Sequence, residues 1–229
     1  LMILCVIPAR SGSKRIKNKN IKKFLGKPII FYSIKQALKS NIFDKVIVST
    51  NSLKIANIAK KYGAEVLFDR PKKLSGDRVG TQDVVSHAIK WIENNISKVC
   101  DVCCVYPTAP LIESKNLVSS YKIFKKKDWD YIFTASKFYY PIQRAIIQSK
   151  NKNIKMLKKN NYNKRSQDLI TTYHDVGQFY WGKANSWKSK KAIFNSKTTI
   201  FELDMFSSHD IDTLEDWKIS EKLFKIKFK

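Results

Sequence analysis

Apolar and polar positions along this chain follow two periods. Short continuous apolar runs lie at 2–7 (MILCVI), 44–50 (DKVIVST), 64–68 (AEVLF), 100–106 (CDVCCVY) and 130–136 (DYIFTAS). Such runs read as strands covered on both faces. Segments with helical spacing separate them. In PIIFYSIKQALKS, Ile30, Ile34, Ala37 and Leu38 share a face, and in TQDVVSHAIKWIENN, Val84, Val85, Ala88, Ile89 and Ile92 form one stripe. SLKIANIAKKYG predicts a helix that Ser52 caps and Gly63 ends. Thr81 is the expected N-cap of the next helix, and NLVSSYKIFKKK supplies a fourth. Four β-α repeats predict an α/β fold: a Rossmann-like, mainly parallel sheet with helices on both faces.

The rhythm breaks after Ser136. Residues 137–175 are polar and rich in Asn and Lys, with short strand-like pieces such as AIIQ, and read as an arm inserted into a single domain spanning 1–229. The chain then returns through the strand GQFYWG, a short helix, the strand KTTIFEL, the turn SSHDID and a closing helix capped by Thr213.

Charge changes the picture. Against 19 acidic residues stand 44 Lys and Arg, a formal net charge of +25. The excess implies either a polyanionic partner or a lysine-decorated surface. The lysines are scattered and mixed with Asn and Ile, and no segment joins a basic stripe to a nucleic-acid module. The expectation is therefore no nucleic-acid partner and a field that favours anionic substrates. No apolar run approaches the ~18 residues of a membrane span, and the first run is too short for a secretory leader. A cytoplasmic protein without a membrane partner is expected. Cys100 and Cys103 have CxxC spacing, but neither a second pair nor a nearby His completes a zinc site, so buried free thiols are expected.

The densest cluster of cations follows the first strand. PARSGSKRIKNKN lacks the GxGxxG and Walker patterns. It offers backbone N–H groups at Ser11, Gly12 and Ser13 and cations at Arg10, Lys14 and Lys19, at the sheet edge where parallel α/β folds bind ligands. Read alone, it is equally a phosphate cradle or a solvated basic loop.

The motifs, taken in order, resolve this. PARSGSKRIKNKN with FLGKPII, then FDKVIVSTNS, YGAEVLFDRPKKLSGD, YPTAPL and HDIDTLEDW, resemble the signature of the sugar cytidylyltransferases over essentially the whole chain. That family activates sialic-acid-type sugars with CTP on a nucleotide-diphospho-sugar-transferase-like fold. KRSQDLITTYHDVGQFYWG and PIQRAI resemble the branch acting on pseudaminic acid, with acetylneuraminate or legionaminate as alternative sugars. A nucleic-acid-binding protein is the alternative from another class.

The resemblance implies that Arg10, Lys14 and Lys19 neutralise the triphosphate, with Ala9, Ser13 and Asn20 completing the loop. It implies that Arg70, Asp77, Gly80 and Thr81 line the nucleotide pocket. Asp210 and Asp212 are the expected Mg²⁺ ligands, with Asp212 among the catalytic residues. At i and i+2 in an extended segment they project to one side, and two hard carboxylates suit Mg²⁺. From the residues alone, the favoured reading is that Asp212 caps the closing helix and Asp210 is solvated; the resemblance turns it to the metal. Tyr106, Arg144, Arg165, Asp175, Gln178 and Tyr180 are the candidates for a nine-carbon 2-keto acid sugar. His174 and His209 are expected to support the site and His87 to be structural. The resemblance also implies a homodimer whose inserted arm reaches the other subunit's site.

Overall fold

A computed structural model describes residues 1–228. The chain runs through β1 (Met2–Pro8), β2 (Lys23–Phe24), β3 (Lys27–Pro28), α1 (Ile30–Lys39), β4 (Lys45–Ser49), α2 (Leu53–Lys61), α3 (Thr81–Asn95), β5 (Val99–Val105), α4 (Ser114–Lys126) and β6 (Tyr131–Lys137). It continues through β7 (Ile146–Gln148), β8 (Ile154–Met156), β9 (Tyr173–Lys183), α5 (Ala184–Lys188), β10 (Thr198–Glu202) and α6 (Leu214–Lys227).

Six strands form one sheet in the order β10-β6-β9-β5-β1-β4. β1 pairs in parallel with β4 and β5, and β10 with β6, while β9 runs antiparallel to both of its neighbours. The strand β9 thus brings its N-terminal half to the edge where β1, β4, β5, β6 and β10 end. Alternation along the strands fills two layers. Cys5, Ile7, Val105 and Cys103 pack under α1, α2 and α4 with Ile34, Ala59 and Leu117. Leu4, Val6, Val102 and Cys104 pack with Val85, Ile89 and Trp187 of α3 and α5. The two adjacent cysteines accordingly enter opposite layers, and all four thiols are free.

Three local expectations hold. Ser52 Oγ accepts the Ile55 N–H at the start of α2, and Gly63 follows its end at φ 91°. Thr213 and Asp216 make a reciprocal capping box on α6.

Others are corrected. Ala64–Phe68 forms no strand. Within it only Glu65 bridges β4, opposite Ile47, and the next bridge, Asp69 with Thr50, lies beyond Phe68. Thr81 is the first helical residue of α3 rather than its cap. Gly80 occupies the cap, which releases the Thr81 hydroxyl to bond elsewhere. Leu38, placed on the apolar face of α1, is exposed, while Ile30, Ile34 and Ala37 are buried. The 137–175 excursion leaves at the end of β6 and returns at β9, with Lys137 paired to Tyr173, and folds its middle into the β7–β8 hairpin.

Gly182 is where β9 admits no side chain. A Cβ there would lie 2.5 Å from Trp187 Nε1 and 2.6 Å from Tyr131 Cδ1, both in fully buried residues. Gly182→Ala is expected to destabilise the protein by about 1–3 kcal/mol, read as a lower urea midpoint at unchanged slope.

Candidate active site

The basic loop after β1 is shaped by one apolar anchor and several polar ties. Ile16 is buried with Phe24, Ile29, Ile211 and Trp217, so the loop is pinned at its middle to the segment carrying Asp210 and Asp212. Gly12 takes φ 83°, a conformation that glycine adopts without strain. Asn20 is buried and donates through Nδ2 to the Arg10 carbonyl at 2.9 Å, closing the loop on itself. The Ser11 N–H donates to Asn51 Oδ1 at 2.9 Å, tying the loop to the end of β4.

Two carboxylates hold the loop's cations. Asp77 lies 2.7 Å from Arg10 Nη2 and 2.6 Å from Lys14 Nζ. Lys14 and then Arg10, bonding to it, keep its carboxyl below the usual range. Asp212 lies 2.7 Å from Arg15 Nη1 and 3.6 Å from Lys19 Nζ. Arg70 is deeper. Its Nε donates to Ser49 Oγ at 3.2 Å and Nη2 to the Ser49 carbonyl. Burial, and secondarily Arg10, push its guanidinium down to about 10.

Three cavities meet at Tyr106. The first, about 220 Å³, is walled by Arg10, Ser13, Lys19, Asn20, Arg70 and Thr81. The second, about 420 Å³, is walled by Lys19, Thr108, Asp175, Tyr180, Asp210 and Asp212. The third, about 320 Å³, lies between Gly80–Asp83, Asp175, Tyr180 and the Lys190–Phe194 loop. The Tyr106 hydroxyl and Thr81 Oγ1 are hydrogen-bonded at 2.9 Å, and the Tyr106 ring meets Tyr180 edge-on at 5.6 Å. Burial raises both phenols far above their ordinary range, so both stay protonated. Tyr180 donates to Asp175 Oδ2.

A bulge in β9 makes this arrangement. Thr134 of β6 stands opposite four residues of β9, 176–179. Its hydroxyl accepts the N–H groups of Gln178 and Phe179 at 3.3 and 3.4 Å. Gly177, at φ 64°, donates its N–H to Asp175 Oδ1 at 2.9 Å. A Cβ on Gly177 would stand 3.8 Å from Asp210 Oδ2, so the bulge and the acidic segment meet there. Bulges of this kind re-aim side chains beside functional sites.

Several expected residues lie elsewhere. Ala9 is fully buried in the core, because its N–H continues the β1–β4 ladder to the Ser49 carbonyl. Gln178 is buried and donates through Nε2 to the Ser207 carbonyl, which makes it a strut under the acidic segment rather than a wall of the cavities. Arg144 and Arg165 sit on the arm, facing Ser166 and Asp168, away from all three cavities. Asp77 and Lys14 reach the site only through the loop. His87 packs edge-on against Phe68, and His209 Nε2 lies 3.8 Å from Asp216. The sequence reading assigned no role to Arg15, Thr108 or the Lys190–Phe194 loop. Arg15 and Thr108 lie within the motifs PARSGSKRIKNKN and YPTAPL, whereas nothing local marks the Lys190–Phe194 loop.

The residues present fit a divalent cation. Asp210 and Asp212 wall one cavity, and burial followed by the Asp212 charge raises Asp210 above the usual carboxylate range, with Lys19 opposing. A cation relieves such crowding. Among the described residues no third acidic, His or Cys side chain completes a cluster. An ion held there would have to take its remaining oxygens from water and substrate, as Mg²⁺ does.

The family profile described as Cytidylyltransferase matches residues 4–227. The pseudaminic acid cytidylyltransferase of Campylobacter jejuni subsp. jejuni serotype O:2 is 42% identical over 97% of this chain and 96% of its own. The CMP-N,N'-diacetyllegionaminic acid synthase of the same organism is 33% identical over 98% and 96%. Among solved structures, CMP:2-keto-3-deoxy-manno-octonic acid synthetase complexed with CTP superposes with a TM-score of 0.71 at 14% identity, covering 99% of this chain and 100% of its own, a likeness of fold.

The strut role of Gln178 separates from a substrate contact. Gln178→Leu would leave the Ser207 carbonyl unpaired, at a cost of about 1–3 kcal/mol in urea unfolding. The Michaelis constant for CTP is expected to stay within twofold. A direct sugar contact would instead raise the sugar's Michaelis constant at unchanged stability.

Proposed function

Given that the chain belongs to the cytidylyltransferase family, we propose that it transfers CMP from CTP to the anomeric hydroxyl of pseudaminic acid, releasing pyrophosphate. The observation that carries this reading is the meeting of a cationic cavity with a carboxylate-walled one at Lys19 and Tyr106, in a chain whose near full-length relative is named for that sugar. The sugar hydroxyl oxygen bonds to the α-phosphorus, the bond from that phosphorus to the oxygen bridging to the β-phosphate breaks, pyrophosphate leaves with that oxygen, and the hydroxyl proton passes to solvent. Charge on the phosphates makes up much of the barrier, so fixed cations and positioning supply much of the catalysis.

In this reading Arg10, Lys14 and Lys19 neutralise the phosphates. Ser13 and Asn20 fix the nucleotide from the loop side, and Arg70, Gly80 and Thr81 do so from the opposite wall. Arg70 suits the inner position, being buried and already oriented by Ser49. Tyr106, Asp175 and Tyr180 hold the hydroxyl and amide groups of the sugar. Asp210 and Asp212 would hold Mg²⁺, which supplies polarisation of the phosphoryl group when bound. With Asp212 so engaged, Arg15 and Lys19, which now pair with it, would be free to face anionic oxygens.

The arm supports a homodimer. It exposes Tyr139, Tyr140, Ile146, Ile154 and Ile170, an apolar surface unusual for a solvated excursion. In a dimer, Arg144 and Arg165 could serve the other subunit's sugar carboxylate. We place the reaction in the cytoplasm, where CTP is supplied and where four free cysteines remain reduced. No helix among the described residues is long and apolar enough to cross a membrane.

Pyrophosphate release from CTP, measured with pseudaminic, N-acetylneuraminic and legionaminic acids in parallel, tests the reading. Turnover is expected to be highest with pseudaminic acid, and equal or better turnover with another acid would replace that substrate. Asp212→Asn is expected to lower turnover by about a hundredfold or more while the circular dichroism spectrum is unchanged.

A further inference from the structure

A carboxylate cannot bind a triphosphate by direct contact, yet Asp77 stands at the mouth of the cationic loop. Its two oxygens are divided between two cations, Oδ1 at 2.7 Å from Arg10 Nη2 and Oδ2 at 2.6 Å from Lys14 Nζ. Arg10 also walls the 220 Å³ cavity, and Asp77 does not. Asp77 belongs to the irregular stretch between the 72–74 turn and α3, and all three side chains are partly or largely exposed. Exposed pairs of this kind contribute little and exchange readily. A polyphosphate, with several negative charges close together on one group, competes for the same cations with more charge than one carboxylate.

We propose that Asp77 is the resident counter-ion of the phosphate loop: polyphosphate displaces it from Arg10 and Lys14, and its return lowers the affinity of the loop for pyrophosphate-class anions. The inference rests on the nucleotidyl-transfer reading above and adds to it a group that favours departure of the inorganic product. Arg15 and Lys19 already face Asp212; Arg10 and Lys14 without a rival of their own would hold product and substrate alike, and such uniform binding does not accelerate turnover. Asp77 keeps the cations ordered between turnovers and leaves the anion no surplus of free positive charge to leave behind.

The test is calorimetric titration of inorganic pyrophosphate into the full chain at one ionic strength, without sugar or nucleotide. Wild type is compared with Asp77→Asn, Asp77→Ser and Asp128→Asn. Asp128 also joins two lysines, Lys183 and Lys197, but outside the site, so its variant carries the same change of net charge. Both Asp77 variants are expected to bind pyrophosphate about three- to tenfold more tightly, with Asp128→Asn within twofold of wild type. Equal or weaker binding by the Asp77 variants would overturn the proposal, since Asp77 would then only order the loop. An equal gain in Asp128→Asn would also overturn it, reducing the effect to overall charge. If wild type and variants alike fail to bind pyrophosphate, the nucleotidyl-transfer reading falls as well. Binding by wild type without a gain in the variants removes the counter-ion alone.

Discussion

The shared burial of Ile16 and Ile211 is the constraint from which the site follows. Ile16 lies in the middle of the most cationic stretch of the chain, and Ile211 stands between the two acidic residues of the late turn. Both enter one apolar cluster with Phe24, Ile29 and Trp217. Charges alone would not fix this geometry, because exposed ion pairs are weak and adaptable. Two fully buried aliphatic side chains contribute a few kcal/mol and do so in one place. With that anchor set, Lys19 and Arg15 fall beside Asp212 as a geometric consequence.

The second constraint is the direction of β9. A parallel strand there would have delivered its N-terminal residues to the opposite edge of the sheet. Running antiparallel between β5 and β6, it brings Asp175 and Gly177 to the edge where the cationic loop already lies. The bulge opposite Thr134 then places Gly177 against Asp210 and leaves Tyr180 to reach Asp175. A fully buried hydroxyl supports this irregular backbone, consistent with the requirement that buried N–H groups find partners.

Much of the fold was legible in the sequence because its strands and helices obey their periods. The stripe of α3 and the caps of α2 and α6 are set by residues close in sequence. What failed depended on distant partners. AEVLF has strand composition, but within it only Glu65 finds a bridge partner. Thr81 has cap chemistry, but Tyr106, from the end of another strand, takes its hydroxyl. Of the site, the loop and the acidic pair were visible as ordered motifs. Gln178 was a candidate from its place on the strand after the arm, and its bond to the Ser207 carbonyl depends on a segment distant in sequence. Ala9 misled differently: it matches the family pattern, yet its side chain fills the core beneath the loop.

The cations of the site are graded by depth, and the grading separates two tasks that a net charge of +25 does not distinguish. Arg70 is buried, oriented by two bonds to Ser49, and lies at the low end of arginine basicity because its surroundings disfavour charge. Such a group is already desolvated and directed, so it loses little conformational freedom when an anion arrives. Arg10 and Lys19 are intermediate, each walling a cavity while paired with an acid. Lys14 and Arg15 are largely exposed and reach inward only through Asp77 and Asp212. Long-range attraction depends on the outer charges and weakens with salt, whereas discrimination depends on the inner one, which salt screens less. A loop built from lysines alone, all at the surface, would attract polyanions of every kind. A guanidinium held behind the loop by Ser49 would add a fixed, less screened contact for an anion that reaches its depth.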